Sequence, residues 1–582
     1  MKSPRDLLRH LTAPRTLSVL LWVMGLIDLV SALVPRLRPR LEVINDWGYV
    51  FAAHVAGVGT AIAGILLIVL ARGVRRGLRS AWWASVLLLG ATSVLHMIKD
   101  FDLAQALLSL ALLALFITGR AQFAAKDSPR SAVKTLGVAV GAFVTAVLLG
   151  TALQTLFHHG QAVGTTLWHR VLNSVTGMVG LNDRVQYLSD AVAARWQVSL
   201  LMIGAAALLT VLAVALRPSD GPHPLRPEEE TELRSLMARN KRPGSLDYFA
   251  LRRDRCVVFS PSRTSAISFK VVGGVSLAGG DPIGDPGLFG EAIEAWLTQT
   301  REFGWLPGVL GASEAGARAY QKAGLEVLEL GDEAVLDVTT FSLSGRAMKG
   351  VRNTVTKTRR EGLTVDIRRV GDLSADDVAA VRTAADAWRD GPVERGFSMA
   401  LGRFADPADR DCVLVRAFVD GHLCGVLHMV PWGTTGLSLD LMRRKPDAVN
   451  GTVETMVTEL VEWCRGQGMT RISLNFAVFR EAFERGDRLG AGPMQKLQYR
   501  TLMFISRFAQ LASLYRSNAK YEPDWQPRYV CYERAGDLVE VAIAMLRAEA
   551  FLTPPSFGRR GAPKGDEPAA PTPAEASDVV HQ

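Results

Sequence analysis

Up to about residue 217 the chain is a succession of long apolar runs, and beyond it apolar residues recur only in short strand-like and helical patterns. Six runs reach the roughly 20 residues that a helix needs to cross about 30 Å of hydrocarbon. They lie near Leu17 to Val34, Tyr49 to Leu70, Ala81 to Ile98, Phe101 to Thr118, Thr135 to Phe157 and Val198 to Leu216. The first continues into "PRLRPR" without a small-residue cleavage site, so it is expected to stay as an anchor and not to be removed as a signal peptide.

Orientation follows from Lys and Arg in the short connections. Lys2, Arg5, Arg9 and Arg15 precede the first span, Arg72, Arg75, Arg76 and Arg79 follow the second, and Arg120, Lys126, Arg130 and Lys134 follow the fourth. The alternate connections are poorer, carrying Arg36, Arg38 and Arg40, then Lys99, then Arg170, Arg184 and Arg195 spread through a long segment. The pattern predicts a multi-pass protein of the cell membrane with its amino terminus and everything after Arg217 in the cytoplasm. Asp28, His54 and His96 fall within spans, where ionisable groups are costly. They mark either a lipid or ion path or pairing between helices.

"PSDGPHPLRP" then has linker chemistry, which divides a membrane domain, 1–217, and a linker, 218–227, from the rest of the chain. Runs such as "CVVFS", "SAISFKVVGGVSLAGG" and "AVLDV" alternate with amphipathic stretches such as "LFGEAIEAWLTQTREFG", the pattern of a mixed α/β domain. The theme recurs with "LTVDIRRV", "CVLVRAFVDGHLCGVLHMVPW", "TGLSLDLMRR" and "RISLNF". Two similar lobes, 228–340 and 341–550, are the economical reading. The Pro-, Ala- and charge-rich tail, 551–582, is expected to be disordered.

The net charge of +9 and pI near 9.4 favour polyanionic partners such as anionic lipid or RNA. The five cysteines form no CxxC pair and all follow the spans, so they read as reduced thiols, mostly in the core, with no disulfide framework or zinc knuckle. In "GRAMKGVRNTVTKTRREGL", Arg346, Lys349, Asn353, Lys357 and Arg360 share about 80° of one helix face. That stripe suits phosphates of RNA or of an anionic leaflet. In "NGTVETMVTELVEWCRGQG", Val453, Val457, Leu460, Val461 and Cys464 share a buried face, with Glu454 on its flank. Strand alternation in "LSLDLMRR" puts Asp440 beside Ser438 and opposite Leu437, Leu439 and Leu441. Each carboxylate either builds a site or pairs with a neighbouring base.

"YQKAGLEVLELGDEAVLDV" is similar to the closing segment of a GNAT-type acyltransferase lobe. The chain contains no clean copy of the pyrophosphate-holding turn of acyl-CoA enzymes, which disfavours an acyl-CoA donor. More specific is a set of ordered motifs: "GGDPIGDP", "MKGVRNTVTKTRREGL", "RGFSMALGRF", "LSLDLMRR", "NGTVETM", "ISLNFAVFR" and "LYRSNAKYEPDWQPRYVCYE". Together they resemble the phosphatidylglycerol lysyltransferase family of aminoacyl-phosphatidylglycerol synthases, also called multiple peptide resistance factors. The resemblance implies an all-α polytopic membrane domain of about six helices followed by a cytoplasmic α/β tandem GNAT-like domain. It implies transfer of an aminoacyl group, lysine first, from aminoacyl-tRNA to the glycerol hydroxyl of phosphatidylglycerol, with no metal or cofactor.

By the same resemblance Asp440, Glu454 and Lys520 are the candidate catalytic residues. Lys349, Arg352, Lys357, Asp281, Arg443, Asn475, Arg516, Arg528 and Tyr529 are the candidate substrate contacts. Aminoacyl-tRNA, phosphatidylglycerol and an anionic membrane are the implied partners, with charged tRNA supplied from outside the chain. Homo-oligomerisation and movement of the product across the membrane stay open. A transesterification needs an oriented, deprotonated hydroxyl and charge stabilisation, which Lys, Arg and carboxylates supply. The contrasting reading is a non-catalytic lipid transporter or lipid-sensing protein.

Overall fold

A computed structural model of the chain describes residues 11–33, 47–100, 103–123, 129–158, 161–162, 165–178, 184–216, 223–389, 396–478 and 517–552. Arg516, the side chain of His54, the start of the linker and the tail from residue 553 lie outside the described residues.

The apolar runs fold as α1 (Pro14–Leu33), α2 (Trp47–Arg75), α3 (Arg79–Asp100), α4 (Leu103–Thr118), α5 (Pro129–Leu156) and α7 (Asp190–Ala215). Five of these are long and apolar enough to cross a membrane, and α4, at 16 residues, is shorter. All six apolar runs of the sequence are thus helical among the described residues, the fourth in its described part, Leu103–Thr118. The long connection before α7 also folds, into α6 (Leu167–Gly177), whose amino end is capped by the Thr166 hydroxyl accepting from His169 N–H. Gln154 donates to the Ser174 hydroxyl at 2.8 Å and Asn173 to Gln154 at 3.0 Å, so this buried amide is paired on both sides within the bundle.

The first two spans meet at Gly25 and Gly64, where a Cβ on either would lie 2.6 Å from the other's carbonyl oxygen. Only glycine permits that approach. Asp28 and His96 are both fully buried and paired at 3.0 Å between α1 and α3. At one end of the bundle Gln122 donates to Thr12 at 2.7 Å, and Gly73 abuts Leu216. The amino end of α1, the turn after α2, the region after α4 and the carboxy end of α7 are therefore neighbours. This end carries the soluble part.

There the chain forms one twelve-stranded sheet with helices on it. Its strands are β1 (Cys256–Phe259), β2 (Ser265–Val272), β3 (Val275–Gly279), β4 (Ile283–Gly284), β5 (Leu306–Ala312), β6 (Glu326–Asp337), β7 (Leu363–Arg369), β8 (Val413–Val419), β9 (His422–Trp432), β10 (Gly436–Arg444), β11 (Arg471–Val478) and β12 (Asp524–Tyr532). The order is β1-β2-β3-β5-β12-β6-β11-β10-β9-β8-β7, with β4 on β2. From each edge antiparallel strands lead to one parallel join, β3 to β5 or β10 to β11. Between those joins lie β12 and β6. The late strand β12 thus returns to sit between β5 and β6 of the earlier segment.

Helices α8 (Pro227–Arg239), α9 (Phe289–Glu302), α10 (Glu314–Lys322), α11 (Lys349–Arg360), α12 (Ala375–Ala387), α13 (Thr452–Gly466) and α14 (Leu538–Ala548) cover the sheet. Val351 and Val355 of α11 and Met456, Leu460 and Val461 of α13 close one core, and Trp296 of α9 with Tyr320 of α10 closes another. All five cysteines are free and buried.

Candidate active site

The centre of the sheet is irregular where the ordered motifs meet. Pairing slips between Ser473 and Phe476, between Arg528 and Tyr529, and between Leu439 and Leu441. Such bulges bend a strand and re-aim its side chains.

Glu454 sits in the first turn of α13, which starts from Gly451 at φ 104°. A Cβ there would lie 2.2 Å from Thr354 Cγ2, so glycine lets α13 abut α11, and the Thr358 and Thr455 hydroxyls bond across the contact at 2.6 Å. Thr455 faces α11 while Glu454, on the flank of the buried face, accepts from Lys520 Nζ at 2.6 Å. Both partners are partly exposed, 29% for the lysine side chain and 22% for the glutamate, so the pair is reached by solvent. The Lys520 ammonium also stands 5.2 Å from the centre of the Tyr521 ring.

Tyr521 is 3% exposed, and its hydroxyl has no hydrogen-bond partner among the described residues. Burial, and then the charge of Glu454, hold that phenol well above its ordinary range, so it is a donor and not an anion. The turn carrying Lys520 is pinned by Asn518, whose amide donates to the Leu474 carbonyl at 3.2 Å. Leu474 and Asn475 form the bulge of β11, with Asn475 at φ 85°. Asn475 thus shapes the strand that receives the Lys520 turn.

Asp440 is the extra residue of the β10 bulge, so strand alternation does not carry from Leu439 to Leu441 as the sequence pattern implies. Its Oδ1 accepts from Leu401 N–H and its Oδ2 contacts His428 Nδ1, each at 2.6 Å. Leu401 belongs to "RGFSMALGRF", so two motifs far apart in the chain meet at this carboxylate. The His428 ring packs on Phe404 with centroids 5.0 Å apart, and its Nε2 is buried without a partner among the described residues.

Arg528 is taken up inside the protein. Its Nε donates to Glu333 at 3.0 Å, Nη1 to the Gly311 carbonyl at 3.3 Å and Nη2 to the Ser245 hydroxyl at 2.5 Å. Glu333 is fully buried and also accepts from Ser473. Burial opposes the guanidinium charge, but Glu333, Asp281 and Asp247 outweigh it and hold Arg528 above its ordinary range. Asp281 accepts from the Ser313 backbone N–H at 2.8 Å and from its hydroxyl at 2.5 Å, tying the "GGDPIGDP" turn to the start of α10. Burial raises the Asp281 carboxyl, against the pull of Arg528 and Ser313. Nearby Asp247 is pushed up to about 7, by burial first and by Asp281, despite the Gly244 N–H that it accepts at 2.9 Å.

Of the remaining candidates, Arg352 donates to the carbonyls of Leu343 and Gly345 within its own segment. Lys349, Asn353, Lys357 and Arg360 are exposed along the predicted stripe of α11. Arg443 Nη1 donates to the Ala385 carbonyl at 3.3 Å, and Tyr529 packs partly buried beside α10. Sequence reasoning passed over His428, Tyr521, Glu333 and Asp247. A histidine inside the apolar run "VLHMV" and an acid inside the strand run "DEAVLDV" were the available signals for two of them.

Two clefts open beside this centre. One of about 980 Å³ is lined by Arg239, Lys241, Asp247, Arg369 and Arg471, among others. Another of about 830 Å³ is lined by Asp337, Tyr521, Glu522, Asp524 and again Arg471. Arg471 stacks on Trp432 at 4.0 Å. Neither lining includes Lys520, Glu454 or Asp440. A carboxylate, an ammonium group and a buried phenol converge at Lys520, Glu454 and Tyr521, and Tyr521 also lines the smaller cleft.

Residues 234–532, half of the chain and all of the sheet, match the family described as phosphatidylglycerol lysyltransferase, C-terminal. The chain belongs to the phosphatidylglycerol lysyltransferase family. Residues 9–216 match a family described as the transmembrane region of lysyl-tRNA synthetase, in keeping with the apolar helices. The chain is 41% identical over 557 residues to a lysylphosphatidylglycerol biosynthesis bifunctional protein LysX of Rhodococcus opacus, covering 94% of this chain and 50% of that protein. It is 42% identical over 588 residues to the LysX of Mycobacterium avium, covering 96% and 48% respectively. The chain thus spans about half the length of these relatives. The soluble part has the fold of the L-PGS structure from Bacillus licheniformis, with TM-score 0.50, 21% identity, 57% of this chain and 99% of that chain covered.

Proposed function

We propose that the chain transfers an aminoacyl group, lysine first, from aminoacyl-tRNA to a glycerol hydroxyl of phosphatidylglycerol. The observation that carries the reading is the Lys520–Glu454 pair at 2.6 Å, partly open and set over the buried Tyr521, within the motifs shared with the family. In the reaction the lipid hydroxyl oxygen attacks the ester carbonyl, its proton passes to a base, and the terminal ribose oxygen of tRNA leaves with a proton. The carboxylates Glu454 and Asp440 supply a base and a grip for the substrate ammonium group, while Lys520 faces phosphate or the developing oxyanion. The exposed cations of α11 suit tRNA phosphates.

The reading places the catalytic half in the cytoplasm, where charged tRNA is found. It is supported by the bundle end that bears the soluble part, which is also the end carrying Arg15, Arg72, Arg75, Arg76 and Arg79. The test is to incubate membranes holding the full chain with phosphatidylglycerol and a panel of radiolabelled aminoacyl-tRNAs, then to separate the lipids by thin-layer chromatography. Label in a lysyl lipid is the expected result. Label from no tRNA would return the chain to the lipid-transport or lipid-sensing class.

A further inference from the structure

The last helix, α14, is tied to the membrane bundle by charge. Arg15, at the start of α1, donates to Glu533 at 3.1 Å and to Asp537 at 3.2 Å, just before α14. Arg75, at the end of α2, pairs with Glu540 in the first turn of α14, and Arg76 donates to the carbonyl of Gly273 at 3.3 Å. Gly273 lies in the turn between β2 and β3, and Arg547 Nη1 of α14 is also close to it. Arg15 and Arg75 bracket the ends of two helices apolar enough to span, so these contacts set α14 at the level where the spans leave the hydrocarbon.

Helix α14 is amphipathic in an unusual sense. Leu538, Val541, Ala542 and Ala544 face the sheet and are buried. On the other side, within about 100° of arc from Glu540, lie Arg547, Ile543 and Val539. Val539 is 43% and Ile543 39% exposed, and Phe551 and Leu552, just beyond the helix, are 37% and 40% exposed. An apolar stripe adjoining the residue that is held to a span end has one natural occupant, the lipid surface.

We propose that the outer face of α14, with Val539, Ile543, Phe551 and Leu552, lies in the headgroup and upper acyl region of the bilayer, with Arg547 toward lipid phosphate. Apolar residues at that depth gain from leaving water, and a basic residue beside them gains from an anionic leaflet. The contact fixes the tilt of the sheet against the membrane and so presents its site to lipids that stay in the bilayer. The inference rests on the lipid-directed reading above only for that last consequence.

The test uses the full chain in vesicles of phosphatidylcholine with phosphatidylglycerol. The five native cysteines are buried, so Ile543→Cys can be labelled selectively with an environment-sensitive fluorophore. Arg318→Cys, on exposed α10, is the control. Nitroxide lipids labelled near the headgroup are expected to quench the probe at 543 at least about threefold more than the probe at 318, and detergent should abolish the difference. Equal quenching at both sites would overturn the proposal. So would a probe at 543 that is shielded equally in detergent and in vesicles, since another part of the protein or a second copy would then cover the stripe. Quenching does not depend on activity, so its failure is distinguishable from failure of the transferase reading. As a second measurement, Arg75→Glu should lower the quenching at 543 and Arg75→Glu with Glu540→Arg should restore it.

Discussion

Lys520 Nζ lies 2.6 Å from Glu454 Oε1, joining the turn before the last strand to the first turn of α13 across 66 residues of sequence. The pair is too exposed to hold the fold together, because partly solvated ion pairs contribute at most about 1 kcal/mol. On the proposed function its value lies in offering a cation and a base at one point.

Replacing Lys520 should therefore damage turnover and not folding. A charge-assisted contact to phosphate or oxyanion is worth about 1.5 to 3 kcal/mol, and about 1.4 kcal/mol is a factor of ten in rate. Lys520→Ala is expected to lower aminoacyl-lipid formation at least about tenfold, with Lys520→Arg recovering only part of it. The control is Lys322→Ala at the carboxy end of α10, which should match the parent chain. Normal rates from well-folded Lys520→Ala would reduce the stretch to a structural role.

Arg528 calls for the opposite outcome. Its guanidinium is fixed by Glu333, Gly311 and Ser245 in the sheet centre, so removing it leaves Glu333 as a buried, unpaired charge. Breaking such a pair costs about 3 to 5 kcal/mol, whereas replacing both partners can be nearly neutral. Arg528→Met should markedly lower the thermal midpoint of the detergent-solubilised chain, and adding Glu333→Gln should restore much of it. A single variant as stable as the parent would point back to a phosphate-holding role.

On α11 the two kinds of basic residue should separate. Lys349→Gln with Lys357→Gln is expected to weaken tRNA binding and to reduce the slope of its salt dependence, because each phosphate contact releases condensed counterions. Arg352→Gln should leave that slope alone and loosen the loop whose Leu343 and Gly345 carbonyls it holds. Binding titrations at several salt concentrations distinguish them, and an unchanged slope in the double variant would make α11 a merely solvated helix.

These contrasts show where the sequence was legible. The apolar runs, the stripe on α11 and the flank position of Glu454 follow from helical periodicity, which depends on residues three or four apart. Arg352 lies beside that stripe, yet its role depends on where the 343–345 loop folds back. Asp440 was recognisable as a lone acid in a strand, but its direction is set by a bulge that shows only when β9 pairs with β10. The partners of Arg528 come from Ser245, Gly311 and Glu333, on three separate segments, and no local pattern announces them. The return of β12 between β5 and β6 is likewise a matter of long-range pairing.

Asp247 gives a prediction that rests on the same buried centre and can be read by pH alone. Its carboxyl is pushed up to about 7 by burial and by Asp281, against an ordinary value near 4 in the unfolded chain. The folded state thus holds the proton more tightly, so this group's contribution to stability is fully present below about pH 4 and is lost as pH rises toward 7. Asp247→Asn stays neutral throughout and keeps an oxygen to accept the Gly244 N–H. Its thermal midpoint minus that of the parent chain should therefore increase from pH 5 to pH 8, since other titrating groups largely cancel in the difference. Full-length protein in detergent, melted at one-unit pH intervals, is the measurement. A difference that stays constant across that range would mean that Asp247 titrates like an exposed carboxylate, and that its environment is wetter than the packing of Gly244, Asp281 and Arg528 around it implies.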